Sequence, residues 1–204
     1  SRCSSRKSQG NQWGTLGYIV GEIWDGNGSV ILNQGYSGDG LKSCFDFPTR
    51  YSLVQVLATR ENLLQNWGKN QPASKLESTL NSFKSYPSYA KPNLMISNHD
   101  LVRFGDLIER AGFGYGAESE DYWLRYRAAF SFMTAYTGPI TIYYGDEIGE
   151  EVEGFINNGD MGYKDGESSR IDGKITGFNE KEQDMKRYVS DLMKLRENHA
   201  SLWN

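Results

Sequence analysis

Four short apolar runs, at residues 18–24, 41–47, 93–97 and 140–144, constrain this 204-residue chain more than any other feature. Helix-patterned stretches separate the later runs, and strands divided by a helix pair in parallel through right-handed crossovers rather than as hairpins. The expected class is therefore α/β. Each run also ends on polar or acidic residues: Glu22, Asp46, His99-Asp100 and Asp146-Glu147. In parallel sheets and barrels the carboxyl ends of neighbouring strands share one rim, which collects groups distant in sequence. The pattern predicts half a ring of acids.

The connecting stretches carry their own signals. Residues 25–41 are glycine-rich around Val30-Ile31-Leu32, enough for a turn or two of helix. Pro48 ends pairing of the second run because it lacks an N–H. Residues 49–67 place Leu53, Val56, Leu57, Leu64 and Trp67 near helical spacing, with Gly68 as a stop. Ser74 and Glu77 read as a capping box opening a helix with Leu76, Leu80 and Phe83 on its face. Further helices are expected over 101–111, closed by Gly112, over 122–136, ended by Thr137-Gly138-Pro139, and over 180–199. Residues 1–17 read as an irregular arm, residues 18–204 as one compact unit, and residues 150–177 as a long glycine-rich loop.

Composition narrows the partners. A net charge of −4 offers no basic field for nucleic acid or an acidic membrane surface. No apolar run approaches the roughly 18 residues a helical membrane span needs, and the start lacks the charged and apolar regions of a signal peptide. Aromatic residues at 13% supply flat apolar faces with polar edges, which suit a neutral polar ligand as well as an ordinary core. Cys3 and Cys44 leave the redox compartment open. No second histidine lies at ligand spacing from His99, so no metal site and no cofactor is evident.

Glu22 alone is as well explained as a turn residue, and Asn98-His99-Asp100 as a helix N-cap. Together, carboxylates on neighbouring strand ends with Trp24 beside one of them suit glycoside hydrolysis. That reaction needs an acid to protonate the leaving oxygen and a carboxylate to stabilise or trap an oxocarbenium-like centre, the two about 5–5.5 Å apart in retaining enzymes. Burial beside Trp24 and other carboxylates would keep Glu22 protonated. Trp24 itself is either a sugar-stacking platform or a core residue.

Three motifs add a resemblance. Gly21-Glu22-Ile23-Trp24, Ile96-Ser97-Asn98-His99-Asp100 and the run from Gly138-Pro139-Ile140 to Asp146-Glu147-Ile148-Gly149 resemble successive motifs of the alpha-amylase family, glycoside hydrolase family 13. Residues 192–199 resemble the helix that closes that family's barrel. The resemblance implies a partial (β/α)8 TIM barrel, strands five to eight with their helices. It implies Glu22 as general acid/base, Asp100 as the carboxylate that fixes sugar hydroxyls and stabilises the transition state, and His99 as a sugar hydrogen-bond partner. Trp24, Arg103 and Asp146 become candidates for nearby subsites.

The family's nucleophile, an aspartate in a Gly-x-Arg-x-Asp motif before the acid, has no match in residues 1–17, and Arg170-Ile171-Asp172 reads as loop. An upstream motif that also serves a structural calcium site has no match either, so calcium is expected only in a longer parent. The resemblance thus implies a carboxyl-terminal half of a catalytic barrel, inactive alone, with an α-glucan substrate and with a missing amino-terminal half or self-association as partner. It leans towards a secreted or periplasmic setting. Transglycosylation, glucosyl isomerisation and a non-catalytic carbohydrate-binding or interaction role remain as alternatives.

Overall fold

The computed structural model describes residues 8–10, 17–38, 40–61, 68–113, 118–152 and 169–202. Most of the expected amino-terminal arm and the central part of the expected 150–177 loop lie outside the described residues.

The four apolar runs meet in chain order and in parallel. Gly21 bridges Cys44, Phe45 bridges Asn93, and Leu94 bridges Ile140. The hydrogen bonds alternate across each contact, as a parallel pairing requires: Gly21 N to Ser43 O and Phe45 N to Gly21 O at 2.9 Å, Asn93 N to Cys44 O at 2.8 Å, and Thr141 N to Leu94 O at 2.8 Å.

The expected strands are shortened to these bridges, and no continuous sheet runs through the described residues. The second run shows the cause. One residue past the Phe45 bridge, Asp46 turns its carboxylate onto the Thr49 N–H at 2.9 Å and caps a helix. The fourth run passes from Ile140 into a turn at Gly145.

Helix α1, Gly28–Ile31, runs on as a π-type turn over Leu32–Tyr36, the short helix expected there. Helix α2 spans Phe47–Leu57 with Pro48 inside its first turn, so this proline opens a helix rather than only ending a strand. It stops well short of the expected residue 67, and Thr59 instead bridges Lys69 in antiparallel fashion. Helix α3, Ser74–Ser82, lacks the expected capping box. Its N-cap is Ala73, already at helical φ −58° and ψ −25°, so Ser74 lies inside the helix and has no cap to make. Helix α4, Phe104–Arg110, starts three residues later than expected and ends at Gly112, φ +75°.

Helices α5, Glu120–Ala135, and α6, Glu180–Asn198, match the expected positions closely. The capping box that does form is at α6, where Asn179 accepts from the Glu182 N–H and Glu182 accepts from the Asn179 N–H. The core lies between α2, α4, α5 and α6, built from Leu53, Val54, Leu107, Ile108, Phe130, Met133, Met185 and Val189 under Leu94 and Ile96 of the third run. No described helix is long and apolar enough to cross a membrane.

Candidate active site

Because the segments run in parallel, Glu22, Asp46, residues 95–100 and residues 141–147 all follow their bridges on the carboxyl side. The third run carries the densest chemistry. Asn93 to Asn98 are buried, and the chain emerges at His99 and Asp100. Asn98 Oδ1 accepts the Asp100 N–H at 2.8 Å, so this asparagine shapes the turn instead of capping α4. His99 Nε2 lies 3.1 Å from Asp100 Oδ2, and their side chains are 61% and 28% exposed. The expected pair therefore stands together at an accessible rim.

Beneath it, Ser97 ties two runs and a helix into one unit. Its hydroxyl accepts the Phe104 N–H at 3.1 Å and donates to Asp146 Oδ1 at 2.9 Å. Asp146 is fully buried, and burial pushes its carboxyl up to about 7 against the opposing pull of Ser97 and Arg103. Asp146 thus braces the third and fourth runs from within.

Arg103 is likewise fully buried. Its Nε donates to Ser169 O at 3.1 Å, its Nη1 donates to Tyr144 O at 2.9 Å, and Nη1 lies 3.4 Å from Glu150 Oε2. The guanidinium also sits over the Tyr144 ring at 4.7 Å. Arg103 and Asp146, the two residues expected near subsites, both turn inward, and Arg103 as the N-cap residue of α4 follows an extended backbone (φ −60°, ψ 146°) into the core. Gly145 makes room for this hub. At φ +89°, a Cβ there would stand 2.8 Å from Arg103 Nη1.

Glu22 is exposed, not buried beside Trp24 as expected. Among the described residues the one backbone bridge of Gly21 is to Cys44. Trp24 packs on one side against α2. It is 51% exposed, lies nearly flat on Phe47 with ring centres 5.2 Å apart, and donates from Nε1 to Tyr51 Oη at 2.9 Å. One face is fixed against α2, and about half of the residue is open to solvent. No side-chain contact joins Glu22 to Asp100.

Sequence reasoning missed Ser97 as a brace and the role of residues 169–170, read as loop. Ser169 Oγ and Arg170 Nε both donate to His99 O, at 3.1 and 2.8 Å, and Arg170 Nη2 donates to Asp100 Oδ1. The Arg-x-Asp pattern was visible in the sequence, but its partner lies 70 positions away. Among the described residues no three carboxylate, histidine or cysteine side chains gather as a group that could hold a metal ion. A cleft of about 510 Å³ lined by Pro139, Ile140, Met193 and Arg196 lies at the amino-terminal start of the fourth run, away from these groups.

Comparison with known proteins bears on this arrangement. AmyP, solved in complex with maltose, superposes with a TM-score of 0.81 at 44% identity, over 91% of this chain and 38% of that one. A variant of AmyP in complex with maltotriose matches at 0.79. The relatives of this chain are alpha-amylase family enzymes. An Anoxybacillus alpha-amylase matches at TM-score 0.66 and 17% identity over 97% of the chain, which speaks to the fold alone. Neopullulanase 2 of Thermoactinomyces vulgaris is 30% identical over 134 residues, 64% of this chain and 19% of that protein. No family model matches. This chain spans under two fifths of the AmyP chain and about a fifth of the neopullulanase, so the likeness to glycoside hydrolases is a likeness to part of them.

Proposed function

We propose that this chain is the carboxyl-terminal half of an alpha-amylase-type (β/α)8 catalytic barrel, from a retaining glycoside hydrolase that acts on α-glucans. The observation that carries the reading is the parallel series Gly21–Cys44, Phe45–Asn93, Leu94–Ile140, with Glu22 and the His99–Asp100 pair following their bridges on the carboxyl side. AmyP, at 44% identity, is crystallised with maltose, which supports an α-glucan as ligand.

In this reading Glu22 protonates the departing glycosidic oxygen and later takes a proton from water. Asp100 accepts hydrogen bonds from sugar hydroxyls and stabilises the positive charge that develops at the anomeric carbon. His99 Nε2, already within reach of Asp100, hydrogen-bonds the same sugar, and the open face of Trp24 stacks on a neighbouring unit. The carboxylate that would form the glycosyl intermediate comes from the other half. Without that carboxylate the acid would lack the nucleophile that traps the glycosyl group, which is why the chain alone is expected to be inactive. The single bridge of Gly21 among the described residues, beside half-exposed Tyr18 and Ile19, supports a complementary half or a second copy as the partner.

The expected outcome is no release of reducing sugar from maltooligosaccharides by the purified 204-residue chain. Mutating Glu22→Gln in a protein carrying both halves should lower kcat by about 10²–10⁴-fold. Sustained turnover by the chain alone, or an unchanged kcat in that variant, would contradict the proposal.

A further inference from the structure

The residues at the candidate site include one arginine that the mechanism above does not use. Arg170 follows Ser169, which is 1% exposed and whose carbonyl accepts from the buried Arg103 Nε at 3.1 Å. This anchor sets where the Arg170 backbone stands. From there its guanidinium reaches two acceptors on consecutive residues of one turn: Nε donates to His99 O at 2.8 Å, and Nη2 donates to Asp100 Oδ1. The other carboxylate oxygen, Oδ2, faces His99 Nε2 at 3.1 Å. Both oxygens of Asp100 are therefore engaged from different elements, while the Asn98 side chain holds its N–H.

We infer that Arg170 is a positioning residue for Asp100, its planar fork fixing the carboxylate in the one orientation from which it meets sugar hydroxyls. The inference rests on the α-glucan reading of Asp100 for its consequence, and on the contacts alone for its geometry. Stability is a poor explanation for the pair. The Arg170 side chain is 56% exposed, and ion pairs that open to water contribute little to folding. Geometry explains it better, since Arg170 Nε and Nη2 span a backbone carbonyl and a carboxylate at once. A lysine, a point charge with no fork, cannot make both contacts. Ser169 reinforces the same registration by donating from Oγ to His99 O at 3.1 Å.

The test uses the 204-residue chain and two independent readouts. Nitrogen-15 spectra of the Arg170 guanidinium should show restricted Nη rotation in the wild type, and the restriction should be lost in Asp100→Ala, which leaves no side-chain acceptor. Calorimetric titration with maltotriose should show binding about tenfold weaker in Arg170→Gln, the size expected for losing a charge-assisted hydrogen bond, with no change in thermal midpoint. Arg170→Lys should stay close to Arg170→Gln. Full recovery of affinity in Arg170→Lys would show that charge alone matters and would overturn the positioning role, as would a freely rotating guanidinium in the wild type or unchanged affinity in Arg170→Gln. The spectrum requires no sugar. Should both the wild-type chain and a protein carrying both halves ignore maltotriose, the α-glucan reading fails, while the spectrum still decides whether Arg170 holds Asp100.

Discussion

Arg103→Met is expected to destabilise the chain by about 3–5 kcal/mol, the usual consequence of removing one member of a buried charge pair. The substitution nearly conserves volume, so the loss comes from polarity and not from a cavity. Three groups lose their partner together: the Ser169 carbonyl, the Tyr144 carbonyl and Glu150 Oε2. Glu150 would keep the Lys174 N–H on its Oε1 at 3.0 Å, but its charge would be left mostly buried. Urea unfolding measures the loss, and hydrogen exchange at Ser169 and Arg170 should rise ahead of exchange in the α5–α6 core. The double variant Arg103→Met/Glu150→Leu should recover part of the stability, since replacing both members removes the orphaned charge. A single variant within about 1 kcal/mol of the wild type, the range of an exposed pair, would mean the hub is not what holds residues 169–170.

A second large effect concerns pH. Asp106 is 1% exposed, and burial pushes its carboxyl from the ordinary 3.8 up to about 8 even though the Val152 N–H reaches both its oxygens. Glu151 and Glu109 add to the rise and Arg103 opposes it. Burial raises Asp146 to about 7 and Asp46 to about 6 in the same direction. Between 3.8 and the raised value the unfolded chain has released the proton and the folded chain keeps it. The folded state binds more protons in that window, so stability is greatest at the acid end and falls as pH rises. Each such proton contributes about 1.4 kcal/mol per pH unit to the slope. Asp106→Asn carries no ionisable group and retains an acceptor for Val152, so the variant's stability should fall less steeply than that of the wild type between about pH 5 and about pH 8. Parallel curves from urea titrations at the two ends would show that Asp106 does not titrate in this window.

What the sequence disclosed follows from how local the cause is. Helix α5 is bounded by Thr137-Gly138-Pro139 and α6 shows one apolar face, and both spans emerge from spacing alone. The capping-box pattern, in contrast, occurs twice and forms once. Asn179 sits at an extended backbone and caps, whereas the residue before Ser74 is already helical. The pattern records the side chains and not the entry angle that decides between them. The apolar runs marked where the parallel bridges fall but not their length, because Asp46 could equally extend a strand or cap α2.

The acids at the run ends were legible as a group, while the direction in which each points was not. Asp100 and Glu22 face outward, and Asp146 and Arg103 turn into the core, a choice made by Ser97, Glu150 and Ser169 from distant parts of the chain. Arg170 shows the same limit, since only folding brings it to a turn 70 positions earlier.

In the proposed reading the outward-facing carboxylates at the ends of the first and third runs, with Trp24 and His99, form one α-glucan site. Backbone and indole chemical-shift mapping of the chain with maltotriose tests it most directly. Shifts are expected to cluster at Glu22, Trp24, His99, Asp100 and Arg170, with apparent affinity weakened about tenfold or more by Asp100→Asn. Shifts confined to the cleft at Pro139 and Met193, or none at saturating sugar, would contradict it.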